Sequence, residues 1–383
     1  MRTIASLASR ASLFVVAVAL AAGCSNNQGQ RVTMQDDFDV DLFGPHTDDL
    51  HTPYVIGAHF NIDISTHDGS STTGWTLQSS NPNVFSVGTT PAQPAGATSA
   101  STSFSEPVTA LGAGRATLTV LDGSGKVVDS HPVTVGVPDS VQLYAHGLLL
   151  AGESDDQARI SVARVASGGE ATFLVRYFEA GTELSGSGAL GPTATGSVTT
   201  STAQSTLATA RDWLLVDGTA PGSGQVSLVV GGQALGSLPV TVVSTTAIQS
   251  VGVAKQDDSQ ASDGQTLYVI GRAFDDQQND VYGASYQWSF GGTALGGSQP
   301  GVPTDLLSYQ YKGSASGTVQ DSLGTLNAST TVHAQASSVA VGSTANVGCS
   351  VGGAPGAGFT GGAAALGLAA VAAAAARRRR CRA

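Results

Sequence analysis

One pattern occurs twice and limits the fold more than anything else in the chain. Gly114-Arg115-Ala116-Thr117-Leu118-Thr119-Val120 leads through a glycine-bearing turn to Pro132-Val133-Thr134-Val135. Gly224-Gln225-Val226-Ser227-Leu228-Val229-Val230 leads through another to Pro239-Val240-Thr241-Val242. In both, apolar and polar residues alternate, the period of a strand buried on one face. Two such strands joined across a short glycine turn read as a hairpin. A repeated closing hairpin predicts an array of similar β units.

The rest of the chain fits that reading. Helical periodicity is absent from a body rich in Gly, Ser, Thr, Ala and Val, so the fold class is all-β. The body divides into units at 51–137, 138–243 and 244–334, each of ordinary domain size. Ahead of them, 24–50 reads as an acidic tether in which Phe38, Val40 and Leu42 alternate as a docking strand would. Behind them, 335–348 reads as a Ser/Ala/Gly linker. The low-complexity stretch 185–205 reads as loop, as does the Thr/Ala/Pro/Ser insertion at 88–105.

The first unit resembles the bacterial Ig-like group 2 domain. The resemblance rests on Trp75 running into a turn at Ser79-Ser80-Asn81-Pro82, on Val108 to Val120 with its Gly112 and Gly114, and on Pro132 to Val135. It implies tandem Ig-like β-sandwiches with Trp75 filling the first core. The third unit resembles other bacterial Ig-like repeats more loosely, with Asp275 to Gly283 as the loop before the strand that carries Trp288.

Both ends read as routing signals. Residues 1–23 form a signal peptide, with Arg2 and Arg10 ahead of an apolar run, Ala11 to Ala22, too short to be read as a membrane span. Leu20-Ala21-Ala22-Gly23-Cys24 resembles the lipobox of bacterial lipoproteins, which implies a lipidated Cys24. A conventional cleavage site at Ala19-Leu20-Ala21 is the competing reading. At the other end, 349–383 places Cys349 before a Gly-rich spacer, an apolar helix and the cluster Arg377, Arg378, Arg379 and Arg380. Arginines beside an apolar segment stay on the cytoplasmic side. The uninterrupted helical run Ala363 to Ala376 has 14 residues, ten of them Ala, and reaches only roughly 21 Å at ~1.5 Å per residue. The hydrocarbon core is ~30 Å thick. The stretch resembles the MYXO-CTERM sorting tail of myxobacterial surface proteins, which implies cleavage near Cys349 and delivery to the surface. The alternative is an ordinary C-terminal membrane helix.

Cys24, Cys349 and Cys381 are the only cysteines, so the body between the signals has neither a disulfide nor a thiolate metal site. With the signals set aside, 10 basic residues face 28 acidic ones. A body so acidic disfavours nucleic acid and anionic lipid as partners. Asp275, Asp276, Asn279 and Asp280 are close enough in sequence to offer one Ca²⁺ ion several oxygens. The same residue types also serve turns for backbone reasons, and no other cofactor is indicated. The seven histidines lack metal-ligand spacing, and no serine stands in a nucleophile elbow.

These features predict a non-enzymatic, lipid-anchored protein of the outer membrane or cell surface, acting as an adhesive or structural spacer. The expected partners are the membrane, the export and sorting proteases, and matrix polysaccharide or surface proteins, with no nucleic acid. A carbohydrate-binding surface protein, using exposed aromatics such as Trp213, Tyr309 and Tyr311, is one alternative. An inner-membrane-anchored periplasmic array is the other.

Overall fold

The structure is a computed structural model and describes residues 32–36, 50–88, 102–204, 211–296 and 305–341. The described residues belong to one compact unit ending at Thr344, and a second unit, Ala345–Ala383, lies outside them. Six sheets pair into three sandwiches.

The first sandwich uses β1 (Val32–Asp36), β2 (Tyr54–Val55), β3 (His59–Thr66), β4 (Thr76–Ser79), β5 (Phe85–Val87), β6 (Ser103–Ala110), β7 (Gly114–Leu121) and β8 (Val127–Gly136). One sheet has the order β1-β3-β6-β5 and the other β2-β8-β7-β4. In Ig notation these are A-B-E-D and A′-G-F-C. The opening strand is split, with β1 antiparallel to β3 and β2 parallel to β8. Alternation along β3 puts Phe60, Ile62 and Ile64 inside. There Tyr54 meets the rings of Phe60 and Phe85 at centroid distances of 4.7 and 5.5 Å. Each buried side chain of this size contributes roughly 1.5–3 kcal/mol.

The second sandwich repeats this order. Its strands are β9 (Ser140–Ala145), β10 (Arg159–Ile160), β11 (Ala163–Ala166), β12 (Glu170–Glu179), β13 (Thr182–Leu184), β14 (Thr193–Gly196), β15 (Val198–Gln204), β16 (Asp212–Gly218), β17 (Gly222–Val230) and β18 (Gln233–Val243). The sheets run β10-β9-β12-β16-β15 and β11-β18-β17-β14. Again β9 is antiparallel to β12 while β11 is parallel to β18. The crossing from β9 to β11 carries two short helices, α1 (His146–Leu150) and α2 (Asp155–Ala158).

The third sandwich differs. Its strands are β19 (Ser250–Lys255), β20 (Thr266–Phe274), β21 (Gln287–Phe290), β22 (Thr293–Gly296), β23 (Leu306–Tyr311), β24 (Gly317–Leu323), β25 (Leu326–Val332) and β26 (Ala334–Val341). The orders are β19-β20-β23-β26 and β22-β21-β24-β25. The edge held by β5 and β15 in the first two sandwiches is held here by the last strand, β26.

Four expectations are corrected. The linker expected over 335–348 is strand β26 as far as Val341, because an edge strand paired on one side needs few apolar residues. The tether expected over 24–50 contains β1 at Val32–Asp36, where Val32 and Met34 are buried. The alternating residues 38–42 lie outside the described residues. The loop expected over 185–205 contains β14 and β15, Thr-rich strands on sheet edges, and Thr is a good strand former. Trp75 is only partly buried at the rim of the first core, whose centre is filled by Tyr54, Phe85 and Leu118.

Candidate functional site

The chemistry on this molecule gathers where one sandwich meets the next. At the first joint, Val55 N–H donates to Ser185 O at 2.8 Å, Ser185 N–H to Pro53 O at 2.8 Å, and His59 N–H to Ser187 O at 3.1 Å. These bonds add a short parallel bridge, Tyr54 with Ser185, between the two sandwiches. Close approach needs Gly186, at φ +132°, because a Cβ there would stand 2.5 Å from Ala58 Cβ. One apolar cluster runs through both cores, from Phe60 and Ile62 to Tyr177 and Leu184.

The second joint has its own cluster. Tyr144, Leu148, Leu150, Trp213 and Leu215 of the second sandwich pack against Tyr268, Ile270 and Leu306 of the third. Main-chain bonds cross here too, from Ala166 N–H to Tyr282 O at 2.9 Å and from Tyr282 N–H to Arg164 O at 2.8 Å. Phe173 meets the Tyr282 ring edge to face at 5.3 Å. A Cβ on Gly169 would lie 2.0 Å from Gly283 O, so only glycine lets these backbones touch.

This joint concentrates polar groups, of which His146 is fully buried. Trp213 Nε1–H donates to His146 Nδ1 at 2.7 Å. An indole can only donate, so Nδ1 is the acceptor and the proton of His146 sits on Nε2. That Nε2 is buried without a partner, as is Thr172 Oγ1. Burial holds the His146 pKa down to about 3. Burial pushes Asp305 up to about 6 and raises Glu170, with Asp217 adding to the effect. Arg272 and Asp280 form a two-point ion pair, Nε to Oδ1 and Nη2 to Oδ2, each at 3.0 Å. His146, Thr172, Glu170, Arg272, Asp280 and Asp305 line one cleft of about 20 Å³. That is space for one or two waters, far below the few hundred Å³ of a substrate pocket.

The acidic loop turns its oxygens to its own backbone. Asp275 Oδ1 accepts from Gln277 N–H, Asn279 N–H and Asn279 Nδ2 at 2.9 to 3.1 Å, and Oδ2 faces Arg164 Nε at 3.4 Å. The Asn279 side chain, ahead of the other hydrogen bonds and Arg164, holds the Asp275 pKa below the ordinary carboxylate range. Asp280 is committed to Arg272, and among the described residues no group of three or more His, Cys, Asp or Glu side chains is placed to hold a metal ion. Of the aromatics considered for sugar stacking, Trp213 and Tyr309 are each 1% exposed. Only Tyr311 is partly open, and it pairs with His333 at 5.8 Å.

Cys24, Cys349, Arg377, Arg378, Arg379 and Arg380 lie outside the described residues. Among the described residues no helix is long and apolar enough to cross a membrane. The joints were not anticipated from sequence. A local signal for the α1–α2 insertion was present, namely an apolar run, Leu148 to Leu150, followed by Ser154-x-x-Gln157, in which Gln157 Oε1 accepts from Ser154 N–H at 3.2 Å.

No protein-family model matches the sequence, and no curated protein is similar to it. Solved structures are similar in part. Domains 4–9 of the surface layer protein SbsC align over 79% of this chain at 17% identity and a TM-score of 0.33. The chain spans about half of that structure, 47%. The Escherichia coli adhesin FdeC aligns over 80% of this chain and 97% of its own at 14% identity, TM-score 0.24. Invasin, a bacterial integrin-binding protein, aligns over 79% and 59% at 14% identity, TM-score 0.23. Likenesses this loose identify no family, and the Ig-like assignment follows from the strand order of the sandwiches themselves.

Proposed function

We propose that this chain is a non-enzymatic, surface-displayed array of Ig-like sandwiches that acts as a structural spacer or adhesive module. The observation that supports this reading is the construction of the joints. Each is crossed by main-chain hydrogen bonds and sealed by apolar side chains, so the sandwiches hold a fixed mutual arrangement, as a spacer needs. The one cleft described at the second joint admits water but no substrate. The carbohydrate-binding alternative loses two of its three aromatics, since Trp213 and Tyr309 are core residues.

Routing belongs to the same proposal. Cys24 would carry lipid, and Cys349 with Arg377, Arg378, Arg379 and Arg380 would direct sorting, as the two terminal resemblances imply. The decisive experiment is mass spectrometry of both termini of the mature protein from the membrane fraction, together with protease shaving of intact cells. A lipidated Cys24, a chain ending near Cys349, and peptides shaved from the cell surface are the expected result. An intact Arg377–Ala383 end with no shaved peptides would overturn surface display and favour the inner-membrane-anchored array.

A further inference from the structure

We propose that the joint between the second and third sandwiches is a binding site for one internal water molecule, held by His146 and Thr172 of the second sandwich and shared with the third. The inference rests on the reading of this joint as fixed, and names the ligand that completes its polar centre.

Strand register sets the two side chains next to each other. β9 pairs antiparallel with β12 as far as Ala145 opposite Phe173. One step further places His146, the first residue of α1, opposite Thr172. Ala171 and Phe173 enter the core of the second sandwich, so Thr172 lies on the other face of β12, with Leu174. Trp213 is the partner of Leu174 across the β12–β16 ladder, and its Nε1–H donates to His146 Nδ1 at 2.7 Å. That bond fixes the imidazole. Nδ1 gives its lone pair to the indole, and the ring proton sits on Nε2.

Two polar atoms are then left over. His146 is 1% exposed, and neither its Nε2–H nor Thr172 Oγ1 finds a partner in the protein. A buried group left this way is costly, and protein interiors pair such groups with protein or with ordered water. Both residues line the cleft at the joint. The opposite wall belongs to the third sandwich, with Gly271, Arg272 and Ala273 of β20, Tyr282 and Asp305. The walls meet directly beside His146, since a Cβ on Gly147 would stand 2.8 Å from Ile270 Cγ2. The cleft, about 20 Å³, exceeds the roughly 10–15 Å³ that a water needs.

The chemistry of the walls selects water over an ion. A metal ion needs a lone pair from the imidazole and meets an N–H instead, because Trp213 has taken the lone pair. An anion would face the carboxyls of Glu170, Asp280 and Asp305 around the same cleft. Arg272, the one cation among the lining residues, is already held two-point by Asp280. Water can accept from Nε2–H, bond to the Thr172 hydroxyl, and give its remaining proton to an oxygen of the third sandwich. It thereby ties the two sandwiches at the one place where their side chains leave polar atoms unmatched.

The test is nuclear magnetic resonance of the full chain, ¹⁵N-labelled in the histidine rings, at neutral pH. Overhauser contacts to Trp213 Nε1–H identify His146. Its Nε2–H is expected to exchange with solvent at least about tenfold more slowly than that of an exposed imidazole, and to show cross-relaxation with a long-lived water. Thr172→Val keeps the shape and removes one partner of that water, so it is expected to lower the melting temperature. In a dry cleft the same change deletes an unpaired hydroxyl and raises it. A slowly exchanging Nε2–H without a water contact overturns the proposal. So does an Nε2–H that exchanges as fast as an exposed one, because the group then faces bulk solvent, and so does a Thr172→Val chain that melts higher. If Thr172→Val does not fold, the wild-type spectrum decides alone. Contacts between the Trp213 ring and the Ile270 methyls report the closed joint separately. With those contacts present and the water absent, this inference alone fails; with those contacts missing, the fixed joint fails and the water site with it.

Discussion

Replacing Gly186 by alanine tests whether the first joint is a rigid part of the molecule. Gly186 is buried between Ser185 and Ser187, whose backbones bond to the first sandwich. Its φ of +132° is a conformation that residues with a side chain rarely adopt, costing on the order of 1–2 kcal/mol. The new methyl would stand 2.5 Å from Ala58 Cβ and 3.2 Å from Val55 Cγ1. Ala58 cannot swing aside, since its N–H donates to Val55 O and its O accepts from Ala110 N–H. Relieving that overlap costs roughly 1–3 kcal/mol more. The total, about 2–5 kcal/mol, falls on the joint, because separating the sandwiches by about an ångström removes the overlap. Gly181→Ala is the matched control. Gly181 has φ +81° and nothing within 4 Å of its Cβ, so it bears the strain without the wedge. Differential scanning calorimetry is expected to show the first two sandwiches melting together in the wild type and in Gly181→Ala. Gly186→Ala is expected to lower the transition by roughly 4–20 °C, at ~2–4 °C per kcal/mol, and to split it. A Gly186→Ala chain that melts in one step, no lower than Gly181→Ala, would refute the claim that the joint couples the two cores.

Other residues carry independent predictions. Asp321 is fully buried, its Oδ2 lacks a partner, and burial raises its pKa to about 7. Folding therefore binds a proton, and stability from this group is lost as pH rises from about 4 through 7. Asp321→Asn is expected to stabilise the chain by about 2 kcal/mol at pH 8 and to change little at pH 5, read as melting temperature against pH. Trp213→Phe leaves His146 Nδ1 without its donor and is expected to cost about 1–3 kcal/mol, measured by urea unfolding. Millimolar Ca²⁺ is expected to shift the melting temperature by less than about 1 °C, because Asp275 and Asp280 already have partners; a mass-action rise with Ca²⁺ concentration would show a site after all.

Strands buried on one face were legible because alternation records the burial directly. β7 and β17 lie where Ala116 to Val120 and Val226 to Val230 predict them. Edge strands left no such record. β14, β15 and β26 draw on Thr, Ser, Ala and Gly, the residues that also make loops. The joints were illegible for a different reason. Gly186 meets Ala58 across 128 positions of sequence and Gly147 meets Asp305 across 158, and neither residue looks unusual beside its own neighbours. Trp75 was misplaced because the first core was filled by Tyr54 and Phe85 from other strands. The acidic loop looked the same as a turn or as a metal site until Arg164 and Arg272 were seen to occupy it.

Strand direction adds one consequence for how such an array is held. In the third sandwich β19 begins at Ser250, which pairs with Phe274, and β20 runs back toward that end from Thr266, which lies opposite Gln310. β23 therefore starts, at Leu306, on the side where the chain entered. β26 is antiparallel to β23 and sets Val341 against Leu307. Had the chain stopped at β25 it would have left from the far end, since Gly317 of β24 pairs with Val332 and β25 is followed at once by Ala334 opposite Tyr311. The last strand thus returns the chain to the joint that holds Asp305. A load applied at Val341 against Ser250 pulls across the sheet and breaks the β26 ladder one pair at a time. That ladder is broken by a register shift between Tyr309 and Tyr311, which leaves few bonds to resist. In the first two sandwiches β2 with β8 and β11 with β18 are parallel, so a load along the strands shears their bonds together. In single-molecule pulling from both ends, β26 is expected to yield first, as a short low-force step. A first event that releases a whole sandwich would refute the ordering.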